Sequence, residues 1–248
     1  MLSPPAGSDG VSGRVLAENG EGVHGVVVTN GRRFTRTDSG GEFQLPPCDD
    51  ERFVSVTVPS GYRSLGPWYA EATAGHCEFV LVAEPRRAAD VFRFVQITDI
   101  HLSTEQRCLP EDLAEDLQRI ADAEPDLDFL IASGDLTAGG KAEEFAAYRE
   151  AMAATGLPCY HAAGNHDDDA EVAGDHFQDA LGPLHYSFDW GPVHFVVYDG
   201  EACWRQGATV DETVEAFPYR PSRQDEWLRA ALAAHAGHPI VVVNHFPW

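Results

Sequence analysis

The residue pattern changes at Val91, and that change constrains the fold of this chain more than any other feature. Before it, short alternating stretches follow one another across turn chemistry. Val11–Leu16 and Val23–Thr29 flank Glu18-Asn19-Gly20, Phe34–Thr37 leads into Asp38-Ser39-Gly40-Gly41, and Glu42–Leu45, Arg52–Val58 and Cys77–Ala83 complete the series. None has helical periodicity. Strands this short, at roughly 8–12-residue spacing, predict a small all-β sandwich over 11–84. The stretch Pro85-Arg86-Arg87-Ala88-Ala89-Asp90 predicts a linker over 85–90, residues 1–10 are expected to be a disordered start, and Trp68 and Tyr69 are expected in the sandwich core or at a domain interface.

From Val91 onward, buried strands alternate with amphipathic helices. Val91–Thr98, Leu127–Ala132, Leu157–Ala162 and Ile240–Val243 read as strands, and Tyr186–Trp190 with Val193–Asp199 as a hairpin across Gly191-Pro192. Pro110–Glu124, Lys141–Thr155 and Pro221–His235 carry apolar residues at helical spacing. This order predicts βαβ units and a largely parallel, covered sheet over 91–248. Ligand chemistry in such sheets sits at the carboxyl ends of the strands.

Charge narrows the partners. With 17 Lys plus Arg against 40 Asp plus Glu, the net charge is −23, and a surface of that sign does not neutralise a phosphate backbone. No nucleic-acid partner is expected. No apolar run reaches the ~18 residues needed to cross a bilayer, so no membrane span is expected. Met1-Leu2-Ser3-Pro4-Pro5 lacks the basic and apolar segments of an export signal, so the chain as written reads as cytoplasmic. Cys48, Cys77, Cys108, Cys159 and Cys203 are odd in number without a CxxC spacing, and are read as free thiols.

The decisive pattern is positional, because four strands of the second region each end in residues able to bind metal. The ends are Asp99-Ile100-His101, Gly134-Asp135, Gly164-Asn165-His166-Asp167 and Asn244-His245. All four are expected on one sheet edge. Asp99 and His101 are two apart, which on an extended chain directs both to one side. Asp135 offers two carboxylate oxygens to bridge two cations, Asn165 an amide oxygen, and His245 an imidazole. A thiolate-free nitrogen and oxygen set favours zinc, iron or manganese. Two such divalent ions would outweigh Asp99, Asp135 and a bridging hydroxide by about one charge, which attracts a phosphate. His166 is then placed to protonate a leaving alkoxide, and Asp167 to orient that imidazole.

Phe94-Val95-Gln96-Ile97-Thr98-Asp99-Ile100-His101-Leu102, Ser133-Gly134-Asp135-Leu136-Thr137, Gly164-Asn165-His166-Asp167 and Val243-Asn244-His245-Phe246-Pro247 resemble, in order and spacing, four signature blocks of the calcineurin-like metallophosphoesterases. The resemblance implies an α/β fold of mixed sheets flanked by helices, preceded by a small sandwich resembling a transthyretin-like domain of some bacterial members. It implies a binuclear hydrolase with Asp99, His101, Asp135, Asn165 and His245 as metal ligands, two Mn, Fe or Zn ions as cofactors, and His166 assisting the leaving group. The substrate implied is a small-molecule phosphomonoester or phosphodiester, and the Thr-Asp-Ile-His and Gly-Asp-Leu-Thr wording is most similar to the cyclic-nucleotide and glycerophosphodiester phosphodiesterase branch.

The family's closing Gly-His-x-His block is missing, since Gly75-His76 and Gly237-His238 are followed by other residues. The chain is therefore read as the N-terminal part of a longer enzyme, inactive or weak by itself. The competing reading is a non-catalytic binding protein with a degenerate phosphoesterase scaffold. His161 and His194, in apolar strands, are expected to be packed or hydrogen-bonded, and His176 and His185 are likewise left out of the site. Asp168 and Asp169 are expected to cap a following helix, and Trp204, Arg205 and Tyr219 to lie in loops that define substrate.

Overall fold

The computed structural model describes residues 10–48, 51–105, 108–168, 176–199 and 223–246. They form two compact units, one within Met1–Asp90, Tyr186–Val196 and Arg223–Val241, the other within Val91–His185, Val197–Ser222 and Val242–Trp248. Trp204, Arg205, Tyr219 and Asp169 lie outside the described residues. No helix among the described residues is long and apolar enough to cross a membrane.

The first unit is built on two four-stranded sheets. One, in the order β4-β1-β8-β6, joins β1 (Val11–Ala17), β4 (Glu42–Leu45), β6 (Tyr62–Ser64) and β8 (His76–Ala83). The other, β3-β2-β5-β7, joins β2 (Val27–Thr29), β3 (Phe34–Arg36), β5 (Phe53–Val56) and β7 (Tyr69–Glu71) in antiparallel pairs. β1 is antiparallel to β4 and parallel to β8, with Gly13 opposite both Phe43 and Cys77. Alternation along β1, β4 and β8 turns one side chain in two inward. Val15, Val28, Val54 and Leu81 are fully buried there, and Trp68 packs against them. β6 and β7 are two strands that periodicity does not reveal, each only three residues long and bounded by Gly or Pro.

The same unit takes in the hairpin of β12 (Tyr186–Trp190) and β13 (Val193–Val197). Thr57 and Ser187 hydroxyls are 2.9 Å apart, and Asp189 N–H donates to the Val58 carbonyl. Helix α4 (Arg223–Ala234) buries Trp227 and Ala231, with the Trp227 ring 6.1 Å from Phe34.

The second unit is organised by a parallel sheet in the order β11-β10-β9, formed by β9 (Phe94–Ile97), β10 (Phe129–Ser133) and β11 (Cys159–Ala162). Central β10 is buried along its whole length, as a sheet covered on both faces requires. Helix α1 (Pro110–Ala123) starts with Pro110 at its first position and the Asp112 carboxylate accepting the Leu109 N–H. Helix α2 (Ala142–Ala153) is held similarly, Glu144 accepting the Gly139 and Lys141 N–H groups. Leu117, Leu130, Phe145 and Tyr148 share one core, each burial worth roughly 1.5–3 kcal/mol. Helix α3 (His176–Leu181), about one and a half turns long, adds Phe177 to it. Asp168 ends the 3-10 turn Asn165–Asp167, well before the first residue of α3.

The expectation of four ends on one parallel sheet needs correction. Three ends follow β9, β10 and β11, but His245 follows β14 (Ile240–Val243), which belongs to a sheet of order β12-β13-β14. A run of four β-branched residues suits either sheet, so its pattern does not choose between them, and in β14 it is only partly covered, with Val241 and Val242 exposed and Val243 buried.

Candidate metal centre

The site begins where the strands stop. Asp99, His101 and Asp135 have φ of 54°, 48° and 52°, and they are the three non-glycine residues with positive φ among the described residues. This left-handed conformation is disfavoured for L side chains, and the surrounding backbone holds it in place. Asp99 N–H donates to the Gly134 carbonyl, His101 N–H to Asp135, and Leu102 N–H to Leu136, which knits the first two loops together. The approach of Asp99 and His101 thus differs in cause from the extended-chain reading. The strand ends at Ile97, and two left-handed residues bring His101 Nε2 to 3.9 Å from Asp99 Oδ1.

Asp135 is the shared centre. Its Oδ1 accepts the His166 backbone N–H at 2.9 Å, which fixes the carboxylate and aims Oδ2 at two imidazoles. His101 Nε2 lies 3.5 Å from Oδ2 and His245 Nε2 3.4 Å. Two ligand atoms about 2.1 Å from a common tetrahedral ion are about 3.4 Å apart, so these spacings fit a metal of the zinc class. His101, Asp135 and His166 form one group with ligand atoms within 4.8 Å of one another, and Asp99, Asp135 and His245 another, with Asp135 common to both. The Asp135 side chain is 6% exposed and Asp99 56%, so the site is closed at its base and open at its rim.

Backbone carbonyls that no sequence signal marks orient the histidines. His245 Nδ1–H donates to Ser133 O and His166 Nδ1–H to Ala138 O, each at 3.0 Å, leaving Nε2 with the lone pair in both rings. Metal-binding imidazoles are typically held this way. The His101 and His166 rings meet edge to face at 4.5 Å. Two glycines make room. A Cβ on Gly134, at φ +98°, would lie 2.5 Å from the His245 side chain, and one on Gly164 would lie 2.3 Å from Asp135 Oδ1. Asn165 follows Gly164 directly, exposed on the 3-10 turn beside Asp135.

The expected partnership of Asp167 with the His166 imidazole is not what the structure shows. Asp167 is buried, and its two oxygens accept the N–H groups of Leu136, Thr137 and Gly164 together with the Thr137 hydroxyl. Burial pushes its carboxyl up to about 6, against the pull of those hydrogen bonds. On a one-turn 3-10 segment, adjacent side chains point apart, so neighbours in sequence do not meet. Asp167 ties the second loop to the third instead.

Three other histidines, His161, His176 and His194, have partners of their own. His161 Nδ1 is 3.0 Å from the Tyr148 hydroxyl, His176 donates to Gly140 O, and His194 Nδ1 is 2.6 Å from Asp189. Thr98, which sequence reasoning did not single out, donates its hydroxyl to Asp99 Oδ2 at 2.8 Å.

A family model described as calcineurin-like phosphoesterase matches residues 92–248, well over half of the chain. The chain belongs to the calcineurin-like phosphoesterase family. A second model, described as the N terminal of calcineurin-like phosphoesterase, matches residues 9–67. The chain is similar to the 3',5'-cyclic adenosine monophosphate phosphodiesterase CpdA of Pseudomonas aeruginosa, with 34% identity over 80 residues, or 30% of this chain and 29% of that protein. It is also similar to the purple acid phosphatase PPD1 from yellow lupin (Lupinus luteus) seeds, at 15% identity and TM-score 0.43, covering 91% of this chain and 44% of that one. The chain thus spans less than half of either relative. For this phosphoesterase-family chain, the donor set of Asp and His side chains agrees with divalent or transition metal ions.

Proposed function

We propose that the strand-end site holds two divalent ions and hydrolyses a small-molecule phosphoester. Asp99, His101, Asp135, Asn165 and His245 are the proposed ligands, with Asp135 shared. The observation that carries this reading is the convergence of His101 Nε2 and His245 Nε2 on one oxygen of Asp135, whose other oxygen is fixed by the His166 N–H. Such ions, when bound, supply a water-derived nucleophile at neutral pH and positive charge at phosphorus.

The protein's own groups do the rest. Ser133 O holds His245 in the tautomer that presents Nε2, and the knitted loops keep Asp99 and His101 in their left-handed conformations. His166, held at Nδ1 by Ala138, presents Nε2, and its imidazolium form, with a proton on Nε2 in place of the lone pair, is the proposed donor to the leaving alkoxide. Asp167 is a positioning residue that keeps Thr137 and Gly164 in register. The similarity to a cyclic-AMP phosphodiesterase favours a phosphodiester, cyclic or linear, over a monoester. Along the sequence, the proposed catalytic domain is 91–248 and the proposed small sandwich 11–84.

Hydrolysis of bis(p-nitrophenyl) phosphate by the chain, before and after chelation and again after Mn2+ is restored, tests the proposal. Loss and recovery are expected. Activity that survives complete removal of metal rejects it.

A further inference from the structure

The Ala138–Gly139 peptide carries a hydrogen bond at each end, and both partners are ionisable side chains. Its carbonyl accepts the His166 Nδ1–H at 3.0 Å, and its N–H donates to Glu144 Oε2 at 3.0 Å. Glu144 lies on the first turn of α2 and is only 4% exposed. A buried carboxylate needs donors around it, and the Gly139 and Lys141 N–H groups supply them.

Helix capping explains one of those two bonds. The Lys141 N–H, 3.3 Å from Oε2, is the usual partner of an acid at the third helical position. The Gly139 N–H lies two residues further out, is the closer of the two, and has no part in starting the helix. What its bond fixes is the plane of the peptide. Gly139 and Gly140 follow Ala138, and glycines let a peptide plane turn at little cost unless something holds it. The groups on either side are held separately, Ala138 N–H by Leu102 O, Gly140 N–H by the Thr137 hydroxyl, and Gly140 O by His176 Nδ1–H. Glu144 is the group that holds the plane whose carbonyl aims His166.

We infer that Glu144 is a positioning residue for His166, acting through the Ala138–Gly139 peptide. The inference rests on the proposed role of His166 as proton donor. A charge-assisted bond at the N–H end polarises the peptide and strengthens its carbonyl as an acceptor. His166 therefore keeps its Nδ1–H on Ala138 O and leaves Nε2 for the leaving group, in the neutral ring and the imidazolium alike. Adjacency in sequence assigns this imidazole an acid at Asp167. The fold supplies one at Glu144, with a peptide between them.

The test reads the neutral His166 tautomer by long-range proton–nitrogen NMR on the chelator-treated chain, in wild type, Glu144→Ala, Glu144→Asp and the exposed-neighbour control Glu143→Ala. The Nδ1–H form is expected to predominate in wild type and Glu143→Ala, and to lose that predominance in both Glu144 variants. Glu144→Asp keeps the acid at the helix start but is one methylene shorter, out of reach of Gly139, so it decides the question where Glu144→Ala does not fold. With metal restored, the Glu144 variants are expected to hydrolyse alkyl phosphodiesters about 10–100-fold more slowly at unchanged metal content, and nitrophenyl esters nearly as fast as wild type. An unchanged tautomer in the Glu144 variants, or equal slowing of both substrates, overturns the inference. A wild type that hydrolyses neither substrate rejects the phosphoesterase reading instead, and the tautomer still decides the role of Glu144.

Discussion

His245 Nε2 lies 3.4 Å from Asp135 Oδ2, although the two residues come from strands of different sheets. The spacing is that of two ligands on one ion. His245 is aimed by Ser133 O and Asp135 by the His166 N–H, so neither side chain depends on the other for its position. The site is preorganised by backbone groups.

His166 is expected to act as a proton donor and not as a metal anchor. His166→Ala should leave bound metal unchanged while slowing hydrolysis of alkyl phosphodiesters about 10²–10⁴-fold. Nitrophenyl esters, whose leaving group needs no proton, should be affected much less. Equal slowing of both substrates, or loss of metal, would show the role to be misassigned.

Gly134→Ala should damage the site and the fold together. Its φ of +98° and the 2.5 Å approach to His245 predict a loss of about 1–3 kcal/mol in thermal unfolding and weaker Mn2+ binding. Gly156→Ala is the control, because Gly156 has φ +65° with nothing near its Cβ position. It should lose stability alone.

Asp167→Asn replaces a four-bond acceptor with an amide whose NH2 faces backbone N–H groups. A loss of about 2–4 kcal/mol is expected in denaturant unfolding. An imidazole-orienting role would instead leave stability unchanged and shift the pH dependence of hydrolysis, which is not expected.

His161 provides a pH signature outside the site. Burial first, and Arg149 second, lower its pKa from 6.5 to about 4. Between those values the unfolded chain binds more protons, so stability is full above about pH 6.5 and falls as the pH drops toward 4. The fall should be roughly 1–3 kcal/mol. His161→Gln should flatten it in chemical denaturation measured across that range.

Much of this was legible in the residues. Strand ends rich in Asp and His marked side chains that the structure brings together around Asp135, and periodicity located α1, α2 and β10 to within a few residues. The left-handed turns at Asp99, His101 and Asp135 were not legible, because they rest on hydrogen bonds to a neighbouring loop. Nor was the sheet of β14, since a short run of Val and Ile has no periodicity that tells one sheet from another. Asp167 was misread because adjacency in sequence is not adjacency around a 3-10 turn. Ser133 and Ala138 act through carbonyl oxygens, which residue type does not report.

The most direct test is Mn2+ titration of the wild type and Asp135→Asn by calorimetry. Asn preserves the acceptor for the His166 N–H but removes the charged oxygen shared by both ligand groups. Two equivalents are expected in the wild type, and loss of at least one in the variant, with affinity of any remainder down about 100-fold or more. Unchanged stoichiometry and affinity in Asp135→Asn would contradict a metal centre built around this carboxylate.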